Sequence, residues 1–134
     1  MNIWHFFTAE SPYKKRAKSF AIAWTLLIFI ACFVPGKEIP DVDIPFADKW
    51  VHFLLFGIFN FLWLLARPSL HWRHLMFWLL LGTGFGWFVE ELQGLLSFLG
   101  RAKDMKDIYA DALGAVLGVL IFYICARYAA AKQR

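Results

Sequence analysis

Three short stretches of this chain carry the residues that could do chemistry. "DKWVH" holds Asp48, Lys49 and His52, "EELQ" holds Glu90 and Gln93, and "GRAKDMKDIYAD" holds Arg101, Asp104, Asp107 and Asp111. Asp48 and His52 are four residues apart, Glu90 and Gln93 three, Asp107 and Asp111 four, so each pair shares one face of a helix. A carboxylate such as Glu90, or the imidazole of His52, could move a proton, the carboxylate more readily once burial raises its pKa. Arg101 and Lys103 could grip a phosphate or carboxylate, the guanidinium in a two-pronged way. His52 among Glu90, Asp107 and Asp111 would be an oxygen-rich setting for a cation. The sequence has no HExxH, paired-Cys or two-His spacing, however, so no metal or other cofactor is expected. Ser97 and Thr83 have no supporting base nearby, and no glycine-rich phosphate cradle follows a strand. Catalysis is therefore the second reading rather than the first. The plainest alternative is that these acids and bases only pair with one another to hold helix ends together.

The elements that must position them are greasy. Of 134 residues, 60% are hydrophobic and 19% aromatic, against 18% charged. A soluble domain this small could not hide that much apolar surface. Four apolar runs predict transmembrane helices over about 19–34, 50–66, 75–99 and 108–128, a single all-α membrane domain covering 1–134. Pro35, Gly36, Pro40 and Pro45 break the chain after the first run. The third run is long enough that it must tilt or break near Gly94. The first run is a retained helix rather than a signal peptide, because no small-x-small cleavage site follows it. Cys32 and Cys125 fall near opposite faces of the membrane, too far apart for a disulfide.

A net charge of +4 suggests nucleic acid in a soluble protein, but here the basic residues flank apolar runs. Nine of them (Lys14, Lys15, Arg16, Lys18, Arg67, Arg73, Arg127, Lys132, Arg134) fall on one side, and five (Lys37, Lys49, Arg101, Lys103, Lys106) on the other. That asymmetry predicts both termini in the cytoplasm, with membrane lipids as the surroundings and no nucleic-acid partner. The second helix then begins at the outer side. Glu90 lies about 22 Å along the third helix, and Asp107 and Asp111 fill the first two turns of the fourth. Three segments thus bring polar groups to one depth. The stripes Gly82–Gly86–Glu90 and Asp111–Gly114–Gly118 let helices approach closely and turn these acids inward. The expected result is a pocket opening outward, lined by Asp48, Lys49, His52, Glu90, Gln93, Arg101, Asp104, Asp107 and Asp111.

At "DKWVHFLLFG", "EELQ" and "GRAKDMKDIYADALGAVLG" the chain resembles the VanZ-like family of bacterial membrane proteins, named after a teicoplanin-resistance protein. The likeness runs from about Pro35 to Gly118. It departs at Asp111, where the family usually has Asn, so a purely amide role at that position does not carry over. The resemblance implies a protein of the bacterial cytoplasmic membrane, linked to the envelope and to glycopeptide tolerance. The expectation is a non-enzymatic factor whose pocket takes a polar or anionic envelope molecule: a lipid headgroup, a cell-wall precursor or a glycopeptide. A small membrane enzyme acting on a lipid-linked or cell-wall substrate is one alternative, and a subunit docking a larger envelope protein is the other.

Overall fold

A computed structural model describes residues 3–39 and 43–132, so Pro40 and Arg134 lie outside the described residues. Four helices account for most of it: α1 (Lys14–Phe33), α2 (Ala47–Ala66), α3 (Trp72–Leu95) and α4 (Met105–Lys132). Short 3-10 turns occupy Ile3–Phe7, Gly36–Glu38 and Ser97–Leu99, and there is no strand among the described residues. The shortest helices have 20 residues. At 1.5 Å per residue that is about 30 Å, the thickness of a bilayer's hydrocarbon core. All four helices are long and apolar enough to cross a membrane.

Each helix begins three to five residues before the apolar run that predicts it. Hydropathy marks only the part that prefers lipid, whereas helical hydrogen bonding continues into the polar first turn. At α4 that turn is built by Asp104, whose Oδ1 accepts from the Lys106 backbone N–H at 2.8 Å, a side-chain N-cap. At the other end of the third run the helix stops short of residue 99. The Leu96 N–H reaches back to Leu92 and Gln93 carbonyls, and Gly100 turns the chain at φ 72°, a left-handed value that glycine adopts freely.

Helix α4 packs most extensively on α2. Gly57 supplies the contact: a Cβ there would stand 3.2 Å from the Gly114 carbonyl oxygen. Cβ atoms at Gly114 and Gly118 would run into the backbone of Phe53 and Gly57. The α4 glycine stripe therefore faces α2, while that of α3 faces Asn60 at Gly82 and Asp111 at Gly86. Since lipid tails are as apolar as Leu, such close van der Waals contact rather than a hydrophobic drive holds the helices together. Ile28, Cys32, Phe56, Phe59, Val89 and Leu96 fill the interior toward the end that carries the α1–α2 and α3–α4 connections. Leu64, Trp78, Phe122 and Ala126 fill it toward the termini. There the 3-10 turn Ile3–Phe7 lies against α4, with the Trp4 and Tyr128 rings 4.4 Å apart. Phe20, Ile30, Leu80, Leu113 and Ile124 point outward and are more than half exposed, as lipid-facing side chains would be. Cys32 and Cys125 are both free thiols.

Candidate functional site: a polar cluster at the connection end

All nine residues expected to line the pocket lie in one connected network where the ends of α1 and α3 meet the starts of α2 and α4. Lys49 is its outer hub. Its Nζ lies 2.6 Å from Asp48 Oδ2, 2.5 Å from Asp104 Oδ2 and 2.9 Å from Asp107 Oδ1. The first two are hydrogen bonds, whereas the Asp107 contact is an ion pair whose geometry makes no hydrogen bond. The ammonium holds the Asp104 carboxyl below the usual carboxylate range, helped by the Lys106 backbone N–H.

His52 is the inner hub. Its Nδ1 is 3.0 Å from Asp111 Oδ1 and 3.7 Å from Glu90 Oε1, and its Nε2 is 4.0 Å from Asp107 Oδ2. One turn of helix separates Asp48 from His52 and another separates Asp107 from Asp111. Each helix therefore sends one acid outward to Lys49 and one group inward, with Asp107 touching both hubs. Glu90 and Asp111 are fully buried and Asp107 nearly so. A lone charge at the middle of a bilayer costs about 2.5–3.5 kcal/mol on insertion scales, which favours a site near the end of the bundle where partners converge.

Glu90 and Arg101 tie the loops down. Glu90 Oε2 accepts from the Asp104 backbone N–H at 2.9 Å, fixing the turn into α4. In the amide orientation that satisfies both its ends, Gln93 donates to Glu90 Oε1 at 2.9 Å and accepts from the Arg101 guanidinium. Arg101 also reaches the Ala31 carbonyl at the end of α1, 3.5 Å away. Lys103 pairs with Glu91 on the outside of α3, and exposed Lys106 contributes its backbone N–H to the α4 cap. Lys49 thus reaches the buried cluster, whereas Lys103 pairs outside it.

Between these groups opens a cavity of about 400 Å³, lined by Asp48, His52, Gln93, Arg101 and Asp107 with Gly36, Ile39, Gly100 and Ala102. Gly36 and Gly100 form its backbone rim, so close that a Cβ on Gly36 would strike the Gly100 carbonyl. Spacing could not reveal this rim, because it depends on two loops that meet only in the fold. Asn60 is likewise more deeply placed than its type suggests: it is fully buried against Gly82, and neither amide atom has a hydrogen-bond partner among the described residues.

Four membrane-length helices around a buried His–carboxylate network define a small multi-pass membrane protein with a polar cavity at one end. Residues 2–126 match the family model described as VanZ/LLP1, and the chain belongs to that family. No curated protein and no solved structure matches it.

Proposed function

We propose that this protein is a factor of the bacterial cytoplasmic membrane whose cavity opens to the outer side and binds an anionic or polar envelope ligand, thereby altering glycopeptide tolerance. Arg101 is the residue that engages the ligand. One observation carries this reading: Arg101 lines the cavity, and no carboxylate among the described residues pairs with it, whereas Lys49 and Lys103 are matched to acids. A guanidinium that spends its donors on an amide and a carbonyl keeps others for a planar, two-oxygen group such as a phosphate or carboxylate. The cavity is too small for a whole glycopeptide or lipid, so it would take a headgroup or one terminus of a larger molecule. The outward orientation rests on the excess of basic residues on the termini side. Membership of the VanZ/LLP1 family supports the link to glycopeptides.

The test is teicoplanin susceptibility in a strain where the intact protein changes it, with variants at equal membrane level. R101A abolishes the change, and R101K restores little of it because an ammonium cannot make the forked contact. An R101A strain indistinguishable from one carrying the intact protein removes the ligand-binding reading.

A further inference from the structure

We propose that His52, Glu90 and Asp107 form a binding site for a divalent transition-metal ion of the Zn²⁺ or Mn²⁺ class at the floor of the cavity, with Asp111 orienting the imidazole. Sequence spacing alone predicts no metal, whereas the three-dimensional arrangement brings three potential ligands together. One ligand atom from each of His52, Glu90 and Asp107 lies within 4.8 Å of the other two. Bonds of about 2.0–2.2 Å to a central ion would set those atoms roughly 3 Å apart, so the site closes by modest side-chain rotation. His52 is set up as such ligands are. Its Nδ1 faces Asp111 Oδ1 at 3.0 Å, and a proton held there leaves the Nε2 lone pair directed toward Asp107 Oδ2, 4.0 Å away. Metal-binding histidines have this carboxylate support on the far nitrogen. In that tautomer two acceptors face each other, and a cation between them would satisfy both.

The acids have unmet demand of their own. The Asp107 side chain is nine-tenths buried and lines the cavity, and its Oδ1 has the Lys49 ammonium 2.9 Å away as an ion pair but no hydrogen bond among the described residues. Its cationic neighbour, Lys49, is shared with Asp48 and Asp104. Fully buried Asp111 likewise has no donor at Oδ2. A second group of carboxylates, Asp48, Asp104 and Asp107, is also close enough to hold an ion, but the Lys49 ammonium already sits among its oxygens. One imidazole nitrogen with a few carboxylate oxygens suits Zn²⁺ or Mn²⁺ better than Ca²⁺, which takes six to eight oxygens. If the anion reading above holds, the ion would add positive charge to the cavity that Arg101 lines. The cation site itself does not depend on that reading.

The experiment titrates the full chain, metal-stripped in detergent micelles, with Mn²⁺ followed by electron paramagnetic resonance and with Zn²⁺ by elemental analysis after gel filtration. One ion per chain is expected, with spin-echo modulation from an imidazole nitrogen in the Mn²⁺ sample. Affinity falls at least tenfold in H52A and in D107N, and is unchanged in H5A and H71A at exposed positions far from the cluster. If a variant fails to fold, the nitrogen modulation of the wild-type protein decides. No ion bound by the wild type, an oxygen-only signal, or equal affinity in H52A, D107N and wild type overturns the proposal. An imidazolium held between Asp111 and Asp107 would then fill the cluster. The titration and the Arg101 susceptibility test can each fail alone, so the two readings are separable.

Discussion

His52 Nδ1 lies 3.0 Å from Asp111 Oδ1, joining α2 to α4 inside the bundle, and Gly86 of α3 closes over the pair. A Cβ on Gly86 would stand 2.7 Å from Asp111 Oδ2, so the three helices meet with no slack at this point. D111N keeps the shape and an acceptor for His52, and is expected to fold with a melting temperature near that of the intact protein. D111A leaves the imidazole buried without its acceptor and should cost about 1–3 kcal/mol. Thermal melts in detergent compare the two; equal loss in both would mean that charge, not the hydrogen bond, is what the helices need.

The α2–α4 seam predicts a sharp contrast between glycines. G114V drives a branched side chain into the Phe53 backbone, which cannot move aside as a flexible side chain could, and should abolish monodisperse folded protein. Gly84 has nothing within 4 Å of where its Cβ would be. G84A should therefore leave stability unchanged, or raise it by up to about 1 kcal/mol through helix propensity. Size-exclusion profiles of both variants check this, and a well-folded G114V would contradict the packing of α2 on α4.

Lys49 predicts a dependence on pH. Its ammonium lowers the Asp104 carboxyl from an ordinary value of 3.8, so Asp104 binds a proton less readily in the folded protein than in the unfolded chain. The resulting stability is fully present above that ordinary value and is lost as pH falls through the lower folded one. Melts of the intact protein and D104N should differ at pH 6 and converge under strong acid. A gap that widens on acidification would reverse the sign of the Lys49–Asp104 coupling.

Removing the hub has a larger effect. K49M leaves Asp107, nine-tenths buried, without its ammonium, and truncating one side of a buried ion pair costs about 3–5 kcal/mol. D48N, at a carboxylate that is mostly exposed, should cost less than about 1 kcal/mol. Denaturant titrations rank the two, and a D48N loss as large as that of K49M would contradict the burial pattern.

Much of this was legible in the sequence because periodicity and hydropathy are local properties. The i, i+4 spacings of Asp48–His52 and Asp107–Asp111 placed each pair on one face, and the apolar runs placed those faces at a common depth. Which helix faces which is not local. The glycines at 114 and 118 announced a close contact but not its partner, and Gly57 shows its role only when α2 lies against it. Charge type alone could not divide the bases either. Lys49 reaches three acids because it begins α2 beside the α4 cap, while Lys103, two residues from Arg101, swings outward to Glu91. Helix starts escaped because Lys14, Asp48 and Trp72 are helical by hydrogen bonding yet lie at or before the edge of what hydropathy marks.

An outward-facing ligand site requires the cavity beside His52 and Arg101 to face the outside of the cell. A single cysteine at Ala102, an exposed residue on the cavity rim, in a chain whose own cysteines are replaced by serine, reports this directly. A membrane-impermeant maleimide should label A102C in intact cells as fully as in permeabilised ones. Labelling that appears only after permeabilisation would put the cluster on the cytoplasmic side and contradict an outward-facing ligand site.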